Sequence, residues 1–130
     1  FDLVSPERRL ASMQVQAVLV PGAEGDLTAM ADHAPLITTL RPGMLRVESG
    51  EGNQEYLVTG GFAEIGTGLS VLAEQALLRA DVTQEIFDTL AADAKAAHDA
   101  AKSGGGDVDA TSKRVADITA VGTELGMTTR

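Results

Sequence analysis

The chain of 130 residues contains no cysteine and no tryptophan, and it has only two histidines. The absence of cysteine excludes disulfides, thiolate metal sites and cysteine nucleophiles. Three Phe and one Tyr are too few for a large aromatic ligand cage. No apolar run approaches the roughly 20 residues that a membrane-spanning helix needs. The sequence therefore predicts a chain that is not inserted into a membrane.

Basic residues are also scarce, because 10 Lys and Arg stand against 19 Asp and Glu, for a net charge of −9. Nucleic acids and anionic lipid surfaces attract clustered Lys and Arg, so we expect no nucleic-acid partner. The negative charge is spread along the chain. Residues 1–80 carry five basic and ten acidic side chains, and residues 81–130 carry five and nine.

Motifs for catalysis are missing as well. There is no Gly-x-x-x-x-Gly-Lys phosphate loop, no three-glycine dinucleotide fingerprint and no Gly-x-Ser-x-Gly elbow. His33 and His98 are far apart in sequence, without the local partners of a zinc site. Asp107-x-Asp109 lacks the glycine and the closing glutamate of a calcium loop, so helix capping explains it better. We predict no catalytic site, no metal and no cofactor.

The first part of the chain has the pattern of short β-strands. In "MQVQAVLV", period-two alternation predicts one strand face formed by Met13, Val15, Ala17 and Leu19. The turn cluster "PGAEG" follows it. The clearest hairpin is "MLRVESGEGNQEYLVTGG", in which Leu45 and Val47 alternate with charged residues and residues 50–53 make the turn. A second hairpin joins "FAEIG" to "LSVLAEQA". Many short strands with Gly or Pro turns predict a β-sandwich or barrel.

From about residue 81 the chain has the pattern of two helices. Asp81 or Thr83 can cap the first, and Asp107 or Asp109 the second. The apolar stripes expected at helical spacing are Phe87, Leu90, Ala94, Ala97 and Ala101, then Val115, Ile118, Val121 and Leu125. The glycine loop "SGGGD" between them predicts an antiparallel pair.

Three blocks of the sequence together resemble the epsilon subunits of F-type ATP synthases, the counterparts of the mitochondrial delta subunit. They are "FDLVSPE", "VPGAEGDLTAMADHAPLITTLRPGMLRV" and "VTGGFAEIGTGLSVLAEQA". The resemblance is strong over residues 1–80. Over residues 81–130 it rests on the two-helix layout and on "GGGDVD". It implies an α+β chain: a flattened antiparallel β-sandwich followed by an antiparallel two-helix hairpin.

The resemblance also implies a function. The chain is expected to be a non-catalytic rotor subunit of the central stalk, coupling proton flow through the c ring to ATP synthesis. Residues 1–80 would bind the gamma subunit and the c ring, and residues 81–130 would be regulatory. We expect a peripheral location on the cytoplasmic face of the bacterial inner membrane, or alternatively on the matrix or stromal side of an organelle membrane.

Site residues follow from the same resemblance. The residues expected at the gamma-facing surface are Ser5, His33, Thr38 and Thr59. The residues expected to meet polar loops of the c ring are Glu24, Gly25 and Asp26, where an acidic turn complements basic loops. For His33 the alternative is a strand-entry residue that contributes no binding energy.

The helical part departs from the family pattern. Relatives that bind ATP carry Ile/Leu-Asp-x-x-Arg-Ala at the start of the first helix, whereas "DVTQEIF" has Thr83 for the aspartate and Ile86 for the arginine. Without the arginine, a phosphate lacks its bidentate partner, so we expect little or no ATP sensing. The net charge of −4 over residues 81–130, from nine acidic and five basic side chains, predicts weak inhibition of ATP hydrolysis. The catalytic head is the further partner that these helices would touch.

Two other classes of function remain open from the residues alone. One is a general β-sandwich adaptor with a helical tail. The other is a small enzyme with a scattered site, which a pocket containing a perturbed carboxylate would favour.

Overall fold

The computed structural model describes residues 1–30, 34–50, 52–66 and 68–127. The chain divides into two compact units, Phe1–Asp81 and Val82–Arg130. The first unit is built from strands and the second from helices, which confirms the α+β class expected from the sequence.

The first unit contains ten short strands. In chain order they are β1 (Asp2–Val4), β2 (Arg9–Ser12), β3 (Ala17–Gly22), β4 (Gly25–Met30), β5 (Leu36–Leu40), β6 (Gly43–Ser49), β7 (Gly52–Val58), β8 (Gly61–Ile65), β9 (Leu69–Ala73) and β10 (Ala76–Leu78). A 3-10 turn, Arg79–Asp81, follows the last strand.

The strands form two layers. One layer has the order β4-β3-β6-β7-β10 and the other has the order β5-β8-β9-β1-β2. The residue pair Gly22 and Leu40 joins the layers where β3 meets β5. Among the described strands the pairings are antiparallel, except that β1 runs parallel to β9. The expected antiparallel sandwich is confirmed, with one parallel pair that the sequence did not predict.

The core lies between the two layers and takes side chains from both. From the first layer come Val18, Val20, Leu45, Val47, Tyr56 and Val58, and from the second Leu3, Leu40, Ala63, Ile65, Leu69, Val71 and Ala73. Burying one Val or Leu side chain contributes about 1.5–3 kcal/mol, so this cluster is the main stabilising feature of the unit. Tyr56 donates its hydroxyl hydrogen to Gln54 Oε1 at 2.6 Å, and burial raises the pKa of this phenol.

The strand predicted in "MQVQAVLV" is shorter than expected. The strand begins at Ala17, and the side chains that reach the core are those of Val18 and Val20, not those of Ala17 and Leu19. Because side chains alternate between faces, Ala17 and Leu19 share one face, as predicted, and it is the face opposite to the core cluster. Met13 and its neighbour Val15 do pack against the core, but from an irregular segment before the strand.

Several strands escaped prediction because their sequences carry little alternation. Strands β1, β2 and β10 have three or four residues each, and β4 is a largely exposed strand that pairs with β3. The segment predicted as one strand, "LSVLAEQA", forms β9 and the start of β10, which belong to different layers.

The strongest sequence prediction, the β6–β7 hairpin, is confirmed. Leu45 and Val47 are buried, while Arg46 between them is exposed. The turn is shorter than the predicted residues 50–53, because Ser49 already pairs with Gly52.

The second unit contains helix α1 (Gln84–Ala100) and helix α2 (Val108–Leu125), joined through a π-helical turn, Ala101–Gly105. Of the alternative caps, the structure uses Thr83 and Asp107. Thr83 Oγ1 accepts a hydrogen bond from Ile86 N at 3.1 Å, and Asp107 Oδ1 accepts one from Ala110 N at 3.0 Å. The expected helical pair is confirmed.

The buried faces of the helices follow the predicted stripes with one exception. Phe87, Ala94 and Ala101 are buried, but Ala97 is exposed. The next residue, His98, is half-buried, and its Nδ1 lies 3.0 Å from Thr111 Oγ1 on α2. In α2, Ile118 and Val121 are buried as predicted, with Val115 and Leu125 half-buried.

A residue outside the predicted stripe sets the approach of the two helices. Gly122 is buried, and the ring of Phe87 lies so close that a Cβ added to this glycine would be 2.5 Å from Phe87 Cζ. Phe87 is itself fully buried, so its ring has little room to move.

Replacing Gly122 with alanine should destabilise the helical unit. The overlap with Phe87 should cost about 1–3 kcal/mol, which exceeds the gain of up to about 1 kcal/mol from placing alanine in a helix. Urea unfolding followed by helical circular dichroism would measure the change. Ser112→Ala, at an exposed position of α2, is the matched control and should be neutral or slightly stabilising. A more stable Gly122→Ala chain would contradict this packing.

Candidate functional site

The described residues offer little that resembles a catalytic centre. They contain no group of three or more His, Cys, Asp or Glu residues placed to hold a metal ion. A cavity of about 160 Å³ opens at one end of the sandwich, lined in part by Val18, Ala29, Ile65 and Leu69, and no acidic or basic side chain lines it. The small-enzyme alternative therefore gains no support from this cavity.

No helix among residues 1–30, 34–50, 52–66 and 68–127 combines the length and the apolar character that crossing a bilayer requires.

The outer surface of the second layer carries large apolar side chains in solvent. Ile37 is 69% exposed, and Phe62 and Leu72 are each 55% exposed. Strand register places Phe62 of β8 opposite Leu72 of β9, and Leu72 beside Val4 of β1. Ile37 lies on the neighbouring strand β5, opposite Glu64. We call Ile37, Phe62, Leu72 and Val4 the apolar face.

Strand alternation explains why these side chains point outward. In β8 and β9 the alternate residues Ala63, Ile65 and Val71 fill the core, so Phe62 and Leu72 must project from the opposite side. A cluster of exposed large apolar side chains usually marks an interaction site, whereas isolated ones do not. This face was not predicted from the sequence, although β8 and β9 carry apolar residues on both of their sides.

Two of the residues predicted for the gamma-facing surface lie near the apolar face. Ser5 directly follows Val4, and its hydroxyl donates to the carbonyl oxygen of Arg8 at 3.4 Å. Thr38 follows Ile37 in β5 but is half-buried, and its hydroxyl donates to the carbonyl oxygen of Thr39 at 3.2 Å. Ser5 therefore lies at the margin of the face. Thr38 pairs with Ala63, whose side chain fills the core, so the Thr38 side chain projects from the inner side of β5, away from the face.

The other two predicted residues are placed differently. His33 lies outside the described residues. Thr59 is only 2% exposed and sits where the chain passes from β7 to β8, with its backbone N–H donating to the carbonyl oxygen of Gln75 at 3.2 Å. The Thr59 side chain thus presents almost no surface to a partner.

The three residues predicted for the c-ring contact come together at one hairpin. The pairing of β3 with β4 ends at Gly22 and Gly25, so Glu24 lies in the connecting turn. Asp26 is the second residue of β4, next to that turn. Glu24, Gly25 and Asp26 are all exposed. Gly25 has a φ of 139°, a conformation that glycine adopts without strain. We call residues 22–26 the acidic turn.

Arg41 fastens the acidic turn to the rest of the sandwich. Its Nη1 donates to the carbonyl oxygen of Gly22 at 2.6 Å, and its Nη2 forms an ion pair with Asp26. Two backbone bonds support the same junction, from Arg41 N to Pro21 O at 3.0 Å and from Ala23 N to Thr39 O at 2.9 Å. Sequence reasoning missed Arg41, because the partner residues are 15 and 19 positions away.

Comparison with known families decides what kind of chain carries these surfaces. The family model for the β-sandwich domain of the ATP synthase delta/epsilon chain matches residues 1–79. This chain belongs to the ATP synthase delta/epsilon family. The match covers most of the first unit, and it contains both the apolar face and the acidic turn.

Similar proteins extend the family assignment over the helical unit. The chain is 52% identical to the ATP synthase epsilon chain of Ruegeria sp. (strain TM1040), covering 98% of this chain and 96% of that protein. It is 54% identical to the ATP synthase epsilon chain of Fuscovulum blasticum, with coverage of 97% and 95%. The epsilon-subunit resemblance and the non-catalytic ATP synthase function that it implied are therefore confirmed, and the unrelated adaptor is set aside.

Solved structures show the same fold at lower identity. A chain of the Euglena gracilis mitochondrial ATP synthase, from an assembly of OSCP, F1 and c ring, has a TM-score of 0.67 and 23% identity, covering 96% of this chain and 77% of that chain. A chain from the central stalk and c ring of the Tetrahymena thermophila mitochondrial ATP synthase has a TM-score of 0.58 and 19% identity, with coverage of 88% and 93%.

Gly61 should be required for the geometry that presents the apolar face. Its φ is 121°, and an added Cβ would lie 2.0 Å from the carbonyl oxygen of Leu72. Gly61→Ala therefore combines backbone strain with a clash against backbone, and we expect a loss of about 3 kcal/mol or more in unfolding free energy. Denaturant unfolding would measure it. Gly66→Ala is the matched control, because its Cβ would meet nothing within 4 Å; equal stability of the two variants would contradict the close approach.

Proposed function

We propose that this epsilon-family chain acts as a rotor subunit whose sandwich contacts two partners at once. The apolar face binds the gamma subunit of the central stalk, and the acidic turn meets polar loops of the c ring. Residues 1–80 thereby couple rotation of the ring to the stalk, while residues 81–130 form a regulatory hairpin that reaches the catalytic head. The chain is peripheral to the membrane.

The observation that carries the gamma contact is the exposure of Ile37, Phe62 and Leu72 on one surface. Fully removing a large apolar side chain from water contributes about 1.5–3 kcal/mol, and a few such central residues usually dominate the affinity of an interface. A surface built from three strands is also rigid, so little ordering free energy is lost on binding.

The residues expected from the family resemblance fit around this centre in different ways. Ser5 would contribute a polar contact at its margin, whereas Thr38, which pairs with the core residue Ala63, would act by supporting strand β5 from its inner side. Thr59 would act indirectly, by holding the passage from β7 to β8, since its side chain is buried. His33 remains a proposed contact on the resemblance alone.

The acidic turn supports the c-ring contact through its charge and its position. Glu24 and Asp26 are exposed at the end of a two-stranded projection, where a basic loop can approach them. Complementary charge at such a contact sets orientation and register more than total affinity. The turn and β5 are hydrogen-bonded to each other, so the two proposed contacts share a mechanical support.

The helical hairpin supports weak regulation rather than nucleotide sensing. The segment that matches the family's ATP motif is used here for capping, because Thr83 accepts the N–H of Ile86. Neither side chain supplies a cation for a phosphate. The excess of acidic side chains over residues 81–130 also opposes docking against an acidic segment of the catalytic head.

The proposed location is the cytoplasmic face of a bacterial inner membrane. The relatives that are similar over nearly the whole chain come from bacteria, including Ruegeria sp. and Rhodobacter capsulatus. This favours a bacterial membrane over the organelle alternative.

Co-purification with the gamma subunit tests the apolar face. The native chain should form a stable one-to-one complex. Phe62→Ser and Leu72→Ser should each weaken it by about tenfold or more, as expected for central apolar contacts. Val108→Ser, which alters an exposed apolar residue of α2, is the control and should bind normally. His33→Ala tests the contact expected from the family.

Each outcome of that experiment has a distinct meaning. Failure of the native chain to bind gamma would contradict the rotor proposal itself. Normal binding by both serine variants would move the gamma contact away from the apolar face. Normal binding by His33→Ala would favour the alternative that His33 is a strand-entry residue and contributes no binding energy.

Deleting residues 82–130 tests the regulatory proposal. ATP hydrolysis by the assembled enzyme should rise by less than about fivefold, the lower end of ordinary allosteric coupling. If acidic charge is the reason, Asp93→Lys, at an exposed position of α1, should strengthen inhibition. A many-fold rise on deletion would show that the hairpin is a strong inhibitor and would refute this proposal.

A further inference from the structure

The acidic turn contains two carboxylates whose surroundings differ. Asp26 is ion-paired with Arg41 and is about half exposed, at 52%. Glu24 is exposed in the turn, and within the described part of the chain it has no hydrogen bond or ion pair. The two acids therefore do not present the same charge to an approaching partner.

The Arg41 side chain is itself well placed to act as a clamp. The side chain is only 26% exposed, and its guanidinium spans from the carbonyl of Gly22 on β3 to the carboxylate of Asp26 on β4. A planar guanidinium with several donors can hold two acceptors at once, which a single ammonium group does less well. The clamp fixes the two sides of the turn relative to each other.

The backbone around Arg41 makes the clamp part of the sandwich. Arg41 N donates to Pro21 O, and the adjacent Pro42 is buried. A Cβ added at Gly43 would lie 2.8 Å from Pro21 Cβ, so the β5–β6 connection packs directly against β3. A force applied to the turn is consequently transmitted to both layers.

We propose that Arg41 is a positioning residue that holds the acidic turn and cancels the charge of Asp26, which leaves Glu24 as the carboxylate that meets a positively charged loop of the partner. The assignment of Glu24 rests on the proposed contact between the turn and the c ring. The positioning action of Arg41 does not rest on it, because it concerns contacts within this chain.

Amide hydrogen exchange in the full-length chain tests the clamp without any partner. Arg41→Gln should increase exchange of the Ala23 amide, which donates to Thr39 O next to the clamp, by about tenfold through local opening. Arg41→Lys should restore part of the protection, because it keeps the charge. Glu24→Gln should leave it unchanged. Unchanged Ala23 protection in Arg41→Gln would overturn the positioning action.

Binding to detergent-solubilised c ring, measured with the chain in its complex with gamma over a range of KCl concentrations, tests the charge assignment. Glu24→Gln should weaken binding about fivefold at low salt and flatten the salt dependence, because screening already removes this interaction at high salt. The double variant Asp26→Asn/Arg41→Gln keeps the net charge. Because the turn is no longer held in place, its affinity for the ring should fall by a similar factor at every salt concentration. The dependence of binding on salt should stay the same as in the native chain.

The outcomes distinguish a wrong assignment of Glu24 from a wrong proposal of the c-ring contact. If Glu24→Gln kept the native salt slope while the double variant lost it, Asp26 would be the recognising carboxylate and the assignment would be overturned. If the native complex did not bind the ring, the c-ring contact and the assignment of Glu24 would both be overturned. Amide exchange would still decide whether Arg41 positions the turn.

Discussion

The fold depends on one junction, where the chain leaves β5, passes through Arg41, Pro42 and Gly43, and enters β6. Here a strand of one layer continues into a strand of the other, and both are bonded to β3: β5 to its last residue, Gly22, and β6 to its first three, residues 17–19. The junction is tight because Gly43 has no Cβ to separate it from Pro21. The two layers therefore cannot slide independently, and a shared core can form between them.

The same junction organises the surfaces. Alternation in β8 and β9 is set by the need to fill the core, which leaves Phe62 and Leu72 outside. The acidic turn projects from β3 and is held by the residue that begins the junction. One surface is apolar and broad, and the other is narrow and charged. Affinity and orientation are thus assigned to different parts of a small sandwich.

Much of the fold could be predicted from local patterns, and the failures have physical causes. Leu45 and Val47 were placed correctly because charged neighbours mark their strand's outer face. The buried face of β3 was not predicted, because Ala17 to Val20 are all apolar and the sequence there does not distinguish one face from the other. Gly122 was not included in the predicted apolar stripe of α2. It contacts the ring of Phe87, but a glycine has no apolar side chain by which the pattern could identify it.

The candidate sites were predicted less completely, because they depend on contacts between distant positions. The acidic turn was found as a local cluster, but Arg41 reaches it from another strand. Ile37, Phe62 and Leu72 share a surface through strand register alone.

The exposed apolar surface also has a cost during biosynthesis. A copy made in excess of its partners carries these side chains into solvent, where chaperones and proteases bind exposed apolar segments. The surface that serves assembly therefore also marks an orphan subunit for removal.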